Sequence, residues 1–256
     1  MKQIKLGNMK VFITKNYDEM SQKGAQIIGE LVKQKPNVKL GLATGGTPVG
    51  MYNELIAMYN KEEVSFKEVS AYNLDEYYPI EKTNDQSYDY FMKDNLFNHI
   101  DIQLENTNIP NGMAKDSTEE SLRYDELVRS IGGVDVQVLG IGSNGHIGFN
   151  EPSNVFEPMT HRVKLDERTI ADNARFFESI DKVPTEAITM GIGTIMAAKS
   201  ILLLASGQGK APIIKEMLLG KVTPKVQASI LQFHSDVTIV LDEAAASELE
   251  KALQAK

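Results

Sequence analysis

The chain has 256 residues, 42% hydrophobic and 24% charged, which is enough apolar material for a sizeable core. Its net charge of −8 argues against non-specific nucleic-acid binding, which relies on a basic surface, and an anionic ligand would need a local positive pocket. With no cysteine, disulfides, thiolate zinc sites and a cysteine nucleophile are excluded. No run approaches the roughly eighteen apolar residues of a membrane span, and Met1-Lys-Gln-Ile-Lys5 lacks an apolar signal segment, so a cytoplasmic protein is expected.

Residues 10–14 (Lys-Val-Phe-Ile-Thr) read as a strand, and residues 18–32 as a helix with Met20, Ile27, Ile28 and Leu31 at its apolar positions. A second apolar strand, 38–43, runs into Thr44-Gly-Gly-Thr47-Pro48. A helix follows, with Thr47 placed to cap it, Pro48 in its first turn and Val49, Tyr52, Leu55 and Ile56 inward. The strand at 69–73 ends in Leu74-Asp-Glu-Tyr77. Helical stretches at 87–96 and 118–130 precede a strand at 134–139. Residues 161–184 are charged and less regular. Further strands at 187–190 and 200–205, a helix from 210 to 219, a strand at 237–241 and a helix from 243 complete the chain. Short strands alternating with helices predict an α/β fold of three layers, a mostly parallel sheet with helices on both faces. There is no repeat, low-complexity tract or linker, so residues 1–256 are expected to form a single domain.

The strand at 134–139 leads into Gly140-Ile-Gly-Ser-Asn144-Gly-His146-Ile-Gly-Phe-Asn-Glu151-Pro152. Ligands in such folds sit just beyond the carboxyl ends of buried strands, so the chemistry is expected here. Gly140, Gly142 and Gly145 spell G-x-G-x-x-G, but a dinucleotide site needs a helix starting at the third glycine. Gly148 and Pro152 fall where its first turns would lie, which argues against a nicotinamide cofactor. His146 is a candidate metal ligand, general base or buried structural residue. It has no second histidine at ligand spacing, so no metal is expected. Asn144 is placed to accept from one ring nitrogen, with Glu151 balancing the imidazolium.

Three other segments carry candidates. Thr44, Gly45, Gly46 and Thr47 offer backbone N–H groups and hydroxyls at a helix start, which suits a phosphate or, equally, a tight capped turn. Asp75 and Glu76 follow a strand, as a general base or as solvated turn carboxylates. Arg175 and Lys210 are the basic residues of interest. Lys210 follows Ser206-Gly-Gln-Gly at a strand-to-helix turn, where a lysine opposes the helix dipole unless an anion joins it.

The segments 40–48, 73–77, 140–152, 173–177 and 206–210, in this order, closely resemble the glucosamine-6-phosphate deaminase (isomerase) family. The resemblance implies a Rossmann-like fold of the sugar-phosphate isomerase type. It implies conversion of glucosamine 6-phosphate and water to fructose 6-phosphate and ammonia, with no cofactor and a small-molecule amino-sugar phosphate as the partner. It further implies that His146 opens the sugar ring with support from Glu151 and Asn144, that Asp75 takes the C2 proton, and that Thr44 to Thr47, Arg175 and Lys210 hold the phosphate. Many members carry aspartate where this chain has Asn144, so Glu151 is expected to carry more of the charge balance. The chain stops at Lys256, whereas regulated hexameric relatives have a longer tail and more basic residues around 160–164. Allosteric activation is therefore not expected, and the oligomeric state stays open. The alternatives are the related 6-phosphogluconolactonase branch and a non-catalytic sugar-phosphate sensor. Phe149-Asn-Glu-Pro152 and Leu74-Asp-Glu-Tyr77 favour the deaminase.

Overall fold

The computed structural model describes residues 1–174 and 177–255. The chain opens with a hairpin, β1 (Lys2–Leu6) and β2 (Met9–Thr14). Helices and strands then alternate: α1 (Tyr17–Gln34), β3 (Lys39–Leu42), α2 (Gly46–Asn60), β4 (Ser70–Asn73), β5 (Asp75–Tyr77), α3 (Tyr88–Asn95), β6 (Thr107–Asn108), α4 (Ser117–Ser130) and β7 (Val136–Leu139). The second half holds β8 (His161–Lys164), α5 (Glu167–Asn173), β9 (Glu186–Thr189), α6 (Ile192–Met196), β10 (Ile201–Ala205), α7 (Ala211–Leu219), β11 (Val237–Asp242) and α8 (Glu243–Gln254).

The central sheet has eight strands in the order β1-β2-β11-β10-β7-β3-β4-β6. All its pairings are parallel except that of β1 with β2. Every residue of β7 and β10 is buried, so side chains pointing to either face are covered, as a sheet with helices on both sides requires. That is why these strands read as continuous apolar runs rather than alternating ones. On α1 the buried residues include Met20, Ile28 and Val32, while Ile27 and Leu31 are half-buried at the edge of the core. On α2, Tyr52 and Leu55 are buried, and Val49 and Ile56 only half so.

Two features depart from the sequence reading. Residues 2–6 pair with β2 across the turn Gly7-Asn8, with Gly7 at φ 57°; a glycine at the first position of a two-residue loop is a hairpin signal. Also, β9 does not join the main sheet. It pairs antiparallel with β5 on one side and β8 on the other, forming a second, three-stranded sheet. The region at 161–184 therefore contains a strand, β8, and the short helix α5. Beneath this small sheet lies a separate apolar cluster of Tyr77, Ile80, Phe149, Leu165 and Ala187, with the rings of Tyr77 and Tyr88 4.8 Å apart.

Candidate active site

Strands β10, β7, β3 and β4 are neighbours in the middle of the sheet, and the four loops leaving their carboxyl ends meet. They enclose a cleft of about 330 Å³, lined by Thr44 to Thr47, Asp75, Gly142, His146 and Lys210 among others. Asn144 and Glu151 stand behind His146 rather than in the cleft wall. Arg175 lies outside the described residues.

One end of the cleft is built for an anion. Gly45 is the residue before α2; its φ of 92° is a backbone conformation open to glycine, and it turns the chain sharply into the helix. The cap is therefore Gly45, not Thr47, which sits inside the first turn. No side chain caps α2 and no acid lies in its first turn, so its leading N–H groups and the positive end of its dipole are left for a ligand. Tyr17 anchors this turn from α1: its hydroxyl lies 3.1 Å from the Gly46 and Thr47 carbonyls and accepts from Gly50 N at 2.8 Å. The start of α7 likewise has no side-chain cap and no acid in its first turn, but Ala211 N–H donates to the Gln208 carbonyl and Pro212 has no N–H, so it offers mainly the positive end of its dipole. Lys210 precedes it and donates from Nζ to the Ile141 carbonyl at 2.7 Å, which holds the lysine across the loop after β7. Buried Asp242 fixes the β10 loop by accepting from Ser206 Oγ at 2.5 Å and Gly207 N at 3.0 Å, while also capping α8 through Ala245 N.

The two adjacent acids separate cleanly. Along β5 successive side chains point to opposite sides, so Asp75 faces the cleft and Glu76 faces away. Glu76 accepts from the backbone N–H groups of Tyr77 (2.9 Å), Tyr88 (2.8 Å) and Asp89 (3.0 Å), tying β5 to the first turn of α3. It is a structural carboxylate. Asp75 is 6% exposed, and burial, with the charge of Glu76 adding to it, pushes its carboxyl up to about 8. A carboxyl with that value takes up and releases a proton near neutral pH, as an acid–base group must.

The histidine pair comes from the loop after β7. His146 packs its ring against Gly142, where a Cβ would fall 2.3 to 2.5 Å from imidazole atoms, so only glycine leaves room. His146 Nδ1 is buried and lies 3.4 Å from Glu151 Oε2, at ion-pair range though short of a formed hydrogen bond. This leaves the other ring nitrogen for the cleft. Asn144 does not accept from the ring as the sequence spacing suggested. Its Oδ1 accepts from the backbone N–H of His146 (3.2 Å) and its Nδ2 donates to Glu151 Oε2 (2.8 Å). The partners fix which way the amide points, since a backbone N–H can only donate and a carboxylate only accept. Burial raises the Glu151 carboxyl, but His146, Thr169 and Asn144 together hold it below its ordinary value. Thr169 and Tyr88, both lining the cleft, were not singled out from sequence. Among the described residues no cluster of side chains could hold a metal ion.

Comparison with known proteins shows the family. The model of the family described as glucosamine-6-phosphate isomerases/6-phosphogluconolactonase matches residues 14–240. The chain belongs to this family. Within the isomerase/lactonase family it is 55% identical over 241 residues to a glucosamine-6-phosphate deaminase of Clostridium botulinum (strain Alaska E43 / Type E3), covering 94% of this chain and 97% of that one. A glucosamine-6-phosphate deaminase of Clostridioides difficile (strain 630) is 54% identical over the same shares. The solved structure of a monomeric glucosamine-6-phosphate deaminase superposes with a TM-score of 0.91 at 47% identity, covering 93% of this chain and 99% of that one. A 6-phosphogluconolactonase from Trypanosoma cruzi shares the family fold, with a TM-score of 0.69 at 18% identity over 93% of this chain and 96% of that one.

Proposed function

We propose that this chain is a glucosamine-6-phosphate deaminase, converting glucosamine 6-phosphate and water to fructose 6-phosphate and ammonia without a cofactor, as a single domain over residues 1–256. The observation that carries the reading is the convergence on one cleft of the buried acid Asp75 and of His146, backed by Glu151, with two uncapped helix starts at the anion end. The domain reading is supported by the pairing of β2 with β11, which joins the two ends of the chain in one sheet. A cytoplasmic setting belongs to the same proposal, since a phosphorylated sugar is retained where it is made.

In this reading Thr44 to Thr47 and Lys210 receive the phosphate, together with Arg175. Fixing that end orients the reacting carbons, and such positioning supplies several kcal/mol of the roughly 7–11 available to well-oriented reactions. His146 takes the proton of the C1 hydroxyl and delivers it to the ring oxygen, opening the ring to the aldehyde. Glu151 balances the transient imidazolium. Asp75 removes the C2 proton while O1 gains one from the substrate ammonium, giving an enolamine, and Asp75 returns its proton to C1. The resulting C2 imine adds water and loses ammonia. One carboxylate above both carbons suffices for the transfer, and Asp75 is the cleft acid with a proton affinity matched to it.

The test is ammonia release measured with glucosamine 6-phosphate and galactosamine 6-phosphate, beside hydrolysis of 6-phosphogluconolactone. Ammonia from an amino-sugar phosphate is the expected result. Lactone hydrolysis without ammonia release would move the chain to the lactonase branch, and binding without turnover of any of the three would make it a sensor.

A further inference from the structure

We propose that Thr169 is a positioning residue, whose hydroxyl orients the Glu151 carboxylate toward His146 and ties α5 to the catalytic pair. The inference rests on the deaminase reading and extends it to a side chain beyond the family resemblance. Thr169 is 3% exposed, lies on α5 and lines the cleft, and its Oγ1 donates to Glu151 Oε1 at 2.5 Å. The other carboxylate oxygen, Oε2, receives Asn144 Nδ2 and faces His146 Nδ1. Asn144, His146 and Glu151 all belong to the one loop after β7. Among the described residues, Thr169 is the partner of this carboxylate that comes from elsewhere in the chain.

A carboxylate with a donor on each oxygen has its plane fixed, whereas a donor on one side alone leaves it free to turn about its last bond. Oε2 must stay toward the imidazole for Glu151 to balance the charge that forms when His146 takes up a proton. Removing the hydroxyl therefore loosens the pair and also strands a buried acceptor. The sign of the pH effect follows from charge. Against burial, which raises the Glu151 carboxyl, the Thr169 hydroxyl helps His146 and Asn144 hold it below its ordinary value by stabilising its charged form. Without the hydroxyl Glu151 takes up its proton at higher pH, and the charge that faces the imidazole is lost sooner as the pH falls. The charged groups that line the cleft with His146 are Asp75 and Lys210. Gln227, from the segment packed against Glu151, is neutral and donates to its carbonyl at 3.2 Å. None of these changes in the variants.

The experiment is the pH profile of kcat and kcat/KM for ammonia release from glucosamine 6-phosphate by the wild type, Thr169→Val and Thr169→Ser. The valine variant should lose about tenfold or more in kcat, the order set by one hydrogen bond to a charged group. Its KM should stay within about threefold, and the acid limb of kcat/KM should move up by about one pH unit. The serine variant, which keeps the hydroxyl, should restore both. Should valine not fold, Thr169→Ala removes the same hydroxyl without adding bulk and carries the same expectation. An unmoved acid limb with kcat within about twofold of wild type would overturn the proposal, as would a serine variant as impaired as valine. A wild type that releases no ammonia would instead defeat the deaminase reading itself.

Discussion

Replacing Asp75 by Asn should abolish proton transfer and, at the same time, make the protein more stable. The carboxyl has an ordinary value of 3.8 and is pushed up to about 8 in the fold. Its folded form therefore binds a proton more tightly than its unfolded form, and stability is lost as the pH rises from about 4 to 8. Each unit of that span is worth about 1.4 kcal/mol, so a fully independent group would cost the native state about 5 kcal/mol at pH 8. Glu76 contributes part of the upward push, and some relaxation accompanies ionisation, so a gain of about 2–3 kcal/mol on substitution is the reasonable scale. The amide keeps the shape of the carboxyl but carries no charge to bury. Denaturant unfolding of wild type and Asp75→Asn at pH 4.5 and pH 8, with exchange of the substrate C2 proton into solvent at pH 8, measures both halves. The stability difference should be small at pH 4.5 and open by pH 8, with exchange lost throughout. A difference independent of pH, a variant less stable than wild type at pH 8, or retained exchange would refute the assignment of Asp75 as a desolvated base.

Three further outcomes are expected. Lys210→Ala should raise KM for the phosphorylated sugar by roughly one to two orders of magnitude, the scale of a charge-assisted contact to phosphate, while free glucosamine stays a poor substrate for both forms; comparable kcat/KM for phosphorylated and free sugar in the wild type would sink the phosphate end of the cleft. Gly142→Ala drives a methyl group into the imidazole, so it should lower kcat by about 100-fold or more with the unfolding midpoint little changed, read by steady-state kinetics beside thermal unfolding. Asn144→Asp puts a carboxylate where Nδ2 now donates to Glu151 at 2.8 Å, so Glu151 should hold its proton to higher pH. The acid limb of the rate profile should move upward, and an unmoved limb would mean that the amide serves only the loop.

How much of this was open to reading depended on the range of the interaction. Strands buried on both faces, such as β7 and β10, announce themselves as apolar runs, and the glycine turns at their carboxyl ends locate the cleft. Asp75, His146, Lys210 and the Thr44–Thr47 turn all come to line it. What the local pattern left open, and only the family resemblance answered, was which of two neighbouring acids faces the cleft. That is decided by the pairing of β5 with β9, a contact made across more than a hundred residues, which turns one carboxyl inward and sends the other to cap α3. Asn144 misled for a related reason. Two residues from His146 it was within reach of the ring, yet the nearer backbone N–H took its oxygen. Thr169 lies eighteen residues past its partner Glu151 in a charged stretch with no motif, so nothing local marks it. The hairpin at the start did have a local mark, Gly7-Asn8 between two alternating runs.

The position of β11 has a consequence for how the molecule comes into being. This strand, made after every other strand described here, slots between β2, made before all but one of them, and β10. Until residues 237–242 exist, the β1–β2 hairpin has no edge to join and waits as an exposed ribbon on a growing chain. The loops at the carboxyl ends of β3, β4, β7 and β10 can meet earlier, but the sheet that braces them is open along one flank. Pairing Ile13 with Leu241 closes a loop nearly as long as the chain, the kind of contact that makes folding slow and late. Partly made chains should therefore be inactive and adhesive along that unpaired edge, and the last strand acts as the keystone that turns a collection of βα units into an enzyme.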